Sequence, residues 1–387
     1  MERARLIAGL REFAGAALVE RDGACFLIDP GWGERERAQW AVLAARRPAD
    51  WDGRRGWLCV PTGGSSGAMK LARHDELTLG AAAAGFAAHF GVGRVDALGV
   101  LPPWHVSGLL AWARCAWTGG VYRAARWKDV EAGGARPPGA GGFVSLVPTQ
   151  LARLLGDAGA EAWLRGFGAV LIGGGPVWPD LLGRARAAGI PGALGYGSTE
   201  TAAMVASQRP EEFFAGDDTA GRTLPHVNVA VGDDGRLTVA GASVFRGYWP
   251  DERAGAEGAW RTDDLGEIDS LGRVRVSGRA DALIITGGEK VNPNEVEEAL
   301  RLAAGAAWTE VAVVGVPHPE WGEEVVALFV PAPGWRDFEA EVRAWLAQGL
   351  AVAKHPKRYV AVAVEHWPVN ASGKRDRAAL RDLARVG

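Results

Sequence analysis

Pro61-Thr-Gly-Gly-Ser-Ser-Gly-Ala-Met-Lys70 carries the residue types that hold a phosphate. Gly63, Gly64 and Gly67 let backbone amides turn toward an anion. Thr62, Ser65 and Ser66 offer hydroxyl donors, and Lys70 adds positive charge. The loop is expected to follow a strand and precede a helix, a favourable place for an anion. It is not a Walker loop, because Lys70 stands three residues after Gly67 instead of beside it. Taken alone, the segment equally suits a flexible Gly/Ser connection. Gly195-Tyr-Gly-Ser-Thr-Glu200 offers an aromatic face at Tyr196, a hydroxyl at Thr199 and a carboxylate at Glu200. That set suits stacking a base, binding an α-phosphate and holding Mg²⁺ through oxygen. The alternative is a strand-to-helix turn capped by Ser198 or Thr199.

Further along, Trp260–Gly266 and Ser277–Lys290 place acids and bases on loops. Asp264 could accept from both hydroxyls of a ribose, and Arg279 could bind ribose or phosphate. Lys374 lies in the turn Pro368–Arg377 near the C-terminus. On its own, an exposed lysine is ordinarily a solvated surface charge.

These groups need elements to hold them. Residues 1–50 read as helical pieces, followed by a short apolar strand, Trp57–Val60, and a helix over Asp75–Phe90. Ala97–Leu101, Phe143–Val147, Ala169–Ile172 and Ala193–Leu194 read as buried parallel strands. They alternate with the amphipathic segments Pro148–Leu155 and Pro179–Ala188, the pattern of a doubly wound α/β layer. Val227–Val231, Arg236–Val239 and Arg273–Ser277 predict hairpins of a small β region. Beyond Asp281 the pattern is α+β: a helix capped near Asn294, strands at Val311–Val316, Val325–Val330 and Tyr359–Val364, and a helix at Phe338–Leu346. The fold class is therefore α/β: a large N-terminal domain, 1–280, with doubly wound sheets and a small β region, and a smaller α+β C-terminal domain, 281–387.

Composition narrows the function classes. The net charge of −3 gives no electrostatic reason to expect nucleic acid. Cys25, Cys59 and Cys115 lie far apart, with no CxxC pair, which argues against a disulfide framework or zinc site and suits a reducing cytoplasm. The charged start, Met1-Glu-Arg-Ala-Arg5, lacks the apolar core of a signal peptide. No stretch approaches roughly 18 uninterrupted apolar residues, so membrane insertion is not expected.

In order and spacing, these motifs resemble the adenylate-forming superfamily of acyl-CoA synthetases, peptide-synthetase adenylation domains and luciferases, from about residue 57 to the end. The resemblance implies that Thr62–Lys70 (Thr62, Gly64, Ser65, Ser66, Gly67 and Lys70) holds the ATP β- and γ-phosphates. It implies that Gly173-Gly174-Gly175-Pro176 forms the adenine turn, with Tyr196 stacked on the base and Gly197 among the ATP/AMP-binding residues. Thr199 falls on the α-phosphate contact, Glu200 on the Mg²⁺ ligand, and Asp264 and Arg279 on the ribose. Asp281 falls on the hinge of a mobile C-terminal domain. Lys374 falls on the lysine that grips the acyl carboxylate and α-phosphate. The departures are Gly63 for a common serine, Met69 for a common proline, Asp263 before Asp264 for a usual glycine, and Ala282 for a frequent aspartate.

The implied chemistry is acid activation by ATP followed by transfer to coenzyme A. A carboxylate is already a nucleophile at neutral pH, so no general base is needed. Rotation about Asp281 would then bring the Gly287-Gly288 loop toward the entering thiol. Leu101-Pro-Pro-Trp-His-Val-Ser-Gly-Leu-Leu-Ala-Trp-Ala-Arg114 resembles the acyl-pocket entry of o-succinylbenzoate–CoA ligases of menaquinone synthesis, as does Ser145–Leu155. The short chain fits that subfamily as well. Trp104, His105, Ser107 and Arg114 would line the acyl pocket, His105 beside the reacting carboxylate. Arg114 could instead cap a helix or pair with an acid, and His105 could be a structural histidine. Rival readings are a ligase for another aromatic or medium-chain acid, a module that loads a carrier protein, and a non-catalytic nucleotide-binding relative. Homo-oligomerisation stays open.

Overall fold

The computed structural model describes residues 1–48, 51–63, 69–134, 141–250, 258–334, 339–369 and 375–386. The chain divides into two compact units: Met1–Thr262 with Gly266–Val276, and Asp263–Leu265 with Ser277–Gly387.

The first unit opens with α1 (Arg3–Ala14) and a hairpin of β1 (Leu18–Arg21) and β2 (Ala24–Leu27), then α2 (Glu34–Ala44). An all-helical start was expected here. The two strands are the correction, and their cause is local. Asp22 and Gly23 both take left-handed φ, 54° and 81°, which turns the chain back within two residues. Strand β2 is buried throughout, so packing holds what the turn begins. It runs beside β3 (Leu58–Gly63), which pairs antiparallel with β4 (Met69–His74); β4 pairs with β14 (Tyr248–Trp249).

The seven-stranded sheet has the order β11-β10-β9-β8-β7-β5-β6. Strands β5 (Ala97–Gly99), β6 (Tyr122–Ala124), β7 (Phe143–Leu146), β8 (Ala169–Ile172) and β9 (Gly192–Ser198) run parallel; β10 (Ala203–Ser207) and β11 (Arg222–Thr223) close it antiparallel. Side-chain alternation sorts its two faces. Val144, Leu146, Val170 and Ile172 pack with Leu151, Leu154, Leu181 and Leu182 of the helices on one side. Phe143, Ala169, Leu171 and Ala193 pack with Phe86 and Cys115 on the other. Those two residues belong to α3 (Glu76–Phe90) and α4 (Val106–Thr118). This is the doubly wound layer that the alternating pattern predicted. A four-stranded sheet, β12 (Val227–Val231), β13 (Arg236–Gly241), β15 (Ala259–Ile268) and β16 (Val274–Arg279), supplies the small β region.

The second unit holds β17 (Ile284–Thr286), β18 (Glu289–Val291), β19 (Trp308–His318), β20 (Gly322–Pro331) and β21 (Arg358–Ala361), ordered β18-β17-β20-β19 with β21 on β20. Its helix Pro293–Ala304 is capped by Asn292, whose side chain accepts from Asn294 N, and not by Asn294 itself. Pro293 explains the shift: it has no N–H to lose and its fixed φ suits the first helical position. Among the described residues, no helix is long and apolar enough to cross a membrane.

Candidate active site

The chain order of the parallel strands fixes where a ligand can enter. Strand β5 leads through α4 to β6 on one side, whereas β7 lies on its other side. Connections that diverge in this way leave a crevice at the carboxyl ends of the strands. The segments that leave those ends are Leu101–His105 after β5, Val147–Gln150 after β7, Gly173–Pro176 after β8, and Thr199–Thr201 after β9. Gly174, Gly175 and Pro176 are exposed there.

Tyr196 lies on β9, half-buried against the cluster that includes Phe245, Tyr248 and Trp260. Gly197 leaves no room for a side chain, since a Cβ would fall 1.7 Å from the Ala203 carbonyl oxygen. Thr199 is partly buried and Glu200 is buried at the tight turn that follows. The next residues, Ala202 and Ala203, hold left-handed φ of 53° and 67°. Each such alanine costs about 1–2 kcal/mol, strain of the kind that collects at functional turns. The Glu200 Oε1 accepts from the Tyr248 hydroxyl at 2.8 Å. Lys70 Nζ stands 4.8 Å from the centre of the same tyrosine ring. One aromatic side chain thus links the cation of the phosphate loop to the carboxylate.

The phosphate loop itself corrects an expectation. It joins two antiparallel strands, with Thr62 opposite Lys70 and Gly63 opposite Met69, and the helix begins only at Glu76. The first turn of α3 is satisfied by Asp75, which accepts from Leu77 N and Thr78 N. The loop therefore does not run into a helix N-terminus. Gly64, Ser65, Ser66 and Gly67 lie outside the described residues, as does Lys374.

Between loop and turn sits His74, fully buried. Its Nε2 is 2.7 Å from the Thr199 carbonyl oxygen and its Nδ1 is 3.1 Å from Thr78 Oγ1. A carbonyl can only accept, so Nε2 carries the proton. Burial pushes the imidazole down to about 4, against the upward pull of the Thr199 contact, so the ring is neutral at pH 7.

At the acyl segment, His105 is the N-cap of α4, its carbonyl accepting from Leu109 N; Trp104 and Ser107 are partly buried beside it. Arg114 is buried at mid-helix, its Cζ 3.9 Å from the centre of the Phe86 ring. Among the described residues it pairs with no acid, and it caps no helix, since Gly119 ends α4.

Within the second unit, Arg279 forks onto Asp281 at 2.8 and 2.7 Å and reaches Asp264 at 3.3 Å. The hydrogen bond to Asp281 is the first cause that holds the guanidinium above its ordinary pKa. Gly287 and Gly288 form the two-residue turn between β17 and β18, with φ of 56° and 84°. The Gly287 N–H donates to the Trp321 carbonyl.

The family model for AMP-binding enzymes matches residues 18–249, and that for the AMP-binding enzyme C-terminal domain matches 295–374. The chain belongs to the AMP-binding enzyme family. Similar members include the 2-succinylbenzoate–CoA ligase of Listeria innocua, 32% identical over 73% of this chain and 60% of that protein. Another is the probable 2-succinylbenzoate–CoA ligase of Mycobacterium tuberculosis, 36% identical over 84% of this chain and 83% of that one. The chain thus spans only about three-fifths of the length of the Listeria relative. Among solved structures, the o-succinylbenzoate CoA synthetase of Bacillus subtilis in complex with its acyl-adenylate intermediate is similar at a TM-score of 0.71, with 28% identity over 84% of this chain and 69% of that one. A second structure of that synthetase, with ATP and magnesium ion, gives 0.70, 27%, 84% and 70%.

For an AMP-binding enzyme the donor set at Glu200 fits magnesium. This ion keeps most of its waters and is held through one or two carboxylates plus phosphate oxygens, so no cage of protein ligands is required. None exists among the described residues. Sequence reasoning missed Tyr248 and His74. The sequence placed the start of α3 near Asp75, but nothing in it tied the residue before, His74, to Thr199.

Proposed function

We propose that this chain is an ATP-dependent acid–CoA ligase that converts o-succinylbenzoate to o-succinylbenzoyl-CoA through an acyl-adenylate, in menaquinone synthesis. The observation that carries the reading is Glu200 with its neighbours. A buried carboxylate at the carboxyl end of β9 is tied through Tyr248 to the phosphate-loop cation, on the strand edge where the glycine turn and the acyl segment also emerge. The likeness to 2-succinylbenzoate–CoA ligases supports the choice of acid.

In the first half-reaction a carboxylate oxygen of the acid forms a bond to the α-phosphorus of ATP, and the bond to the β-phosphate oxygen breaks, releasing pyrophosphate. The problem is to bring anions together, so positioning and charge neutralisation do most of the work. Thr62, Ser65, Ser66 and Lys70 hold the β- and γ-phosphates, Thr199 the α-phosphate, Asp264 and Arg279 the ribose, and Tyr196 the base. Gly64 and Gly67 belong to the same phosphate-binding set; Gly174, Gly175 and Pro176 shape the adenine turn. Glu200 would hold magnesium, which would supply positive charge opposite the phosphates. Lys374 bridges the acyl carboxylate and the α-phosphate.

In the second half-reaction the thiol sulfur of coenzyme A bonds to the acyl carbon, AMP leaves, and the thiol proton passes to solvent. For this the residues after the 280/281 boundary turn about Asp281, withdrawing Lys374 and presenting Gly287 and Gly288. Trp104, His105, Ser107 and Arg114 line the acyl pocket. The compartment is a reducing cytoplasm, which three buried free cysteines suit. Incubation with ATP, coenzyme A and a panel of acids tests the reading: o-succinylbenzoate gives the fastest thioester formation. A monocarboxylate that works where o-succinylbenzoate fails sinks the substrate, and acylation of a carrier protein but not of coenzyme A sinks the acceptor.

A further inference from the structure

Two polar side chains of the first unit bury nitrogen atoms without the partners that burial demands. Arg114 is 4% exposed, and its Nε has no hydrogen-bond partner among the described residues. His226, on the segment between β11 and β12, has both ring nitrogens buried and, among the described residues, neither is bonded. Both lie against α3, at its consecutive residues Phe86 and Gly85. The Arg114 guanidinium lies on the Phe86 ring, while the His226 ring lies so close to Gly85 that a Cβ there would fall 1.9 Å from Nδ1. Gly85 is thus the residue that lets the imidazole in.

Buried polar atoms are nearly always bonded, and a buried cation without an anion is costlier still. Burial drives Arg114 down to about 9. Burial first, and the charge of Arg114 second, drive His226 down to about 4. Both shifts describe a site that lacks negative charge. A single carboxylate would repair it: the guanidinium can fork onto both oxygens, and the neutral imidazole carries one N–H for one of them. Arg114 stands on α4, the helix that His105 caps, about 13 Å along its axis from that histidine. Long side chains on a helix lean toward its N-terminus, here toward His105.

We infer that His226 is a specificity-determining residue: beside Arg114 it completes a subsite for a second, non-reacting carboxylate at the inner end of the acyl pocket. The inference rests on the ligase reading above and adds to it a residue that the motifs do not contain.

The test compares o-succinylbenzoate with 4-oxo-4-phenylbutanoate, the same acid without its ring carboxylate, in ATP–pyrophosphate exchange by the chain and its variants. His226→Leu lowers kcat/KM for the diacid at least about tenfold and leaves the monoacid within about threefold, because only the diacid loses a buried hydrogen bond. His226→Gln keeps an N–H donor and retains most of the preference, which guards against a folding defect in the leucine variant. Equal losses on both acids, or no loss on either, overturn the role of His226 while leaving the ligase reading in place. If o-succinylbenzoate is no substrate, that reading fails. The subsite is then decided on other matched pairs: it stands if His226→Leu erases a preference for the diacid, and falls if no diacid is preferred.

Discussion

At the scale of single residues, Glu200 joins two demands that pull against each other. In the proposed role it offers its carboxylate to a cation, yet it is buried, and the hydroxyl of Tyr248 donates to it at 2.8 Å. Glu200→Gln removes the charge without changing shape, and adenylation measured by pyrophosphate exchange falls about 10²–10³-fold. Tyr248→Phe removes one hydrogen bond and leaves the ring under Lys70, so the loss is about tenfold. The reverse order of effects would place the cation elsewhere. His74 gives a stability signature. Its pKa is depressed in the folded state, so its contribution is complete above the unfolded value near 6.5 and is lost as pH falls toward about 4. Unfolding in urea at pH 7 and pH 5 therefore differs by about 2 kcal/mol more in the native chain than in His74→Asn. An equal pH dependence in both would mean that folding leaves the pKa of His74 unshifted.

At the scale of elements, short turns decide more than the strands they join. The Gly287-Gly288 turn needs two successive left-handed residues, which side chains other than glycine resist. Gly288→Val costs about 1–2 kcal/mol at that turn. Thioester formation from coenzyme A then slows at least about tenfold while pyrophosphate exchange stays within about threefold. Equal slowing of both would remove the turn from the thiol side. The same chemistry explains what the sequence hid at the start of the chain. Asp22-Gly23 is a hairpin signal, but it lies between strands of only four residues, too short for alternation to outweigh the helical pattern around them. The loop at Thr62–Lys70 was misplaced for a related reason. Met69–His74 mixes apolar and basic residues, and its strand character comes from pairing with β3 and β14, not from its own periodicity.

At the scale of the whole molecule, one lysine should separate the two half-reactions. Lys374→Ala lowers acyl-adenylate formation at least about 10²-fold, whereas capture of supplied acyl-adenylate by coenzyme A stays within about threefold. Equal loss in both steps would argue against rotation about Asp281. The sequence by itself determined the alternation that builds the seven-stranded sheet, the order of the nucleotide motifs, and the family, because periodicity and glycine spacing act over a few residues at a time. Only the tertiary structure decided which polar groups share a site. Tyr248 reaches Glu200 because β14 joins the sheet of β4, and His226 packs against α3 because Gly85 leaves it room. Such partners are chosen by packing between distant segments, where burial penalises every polar atom left alone, and no local pattern records that choice.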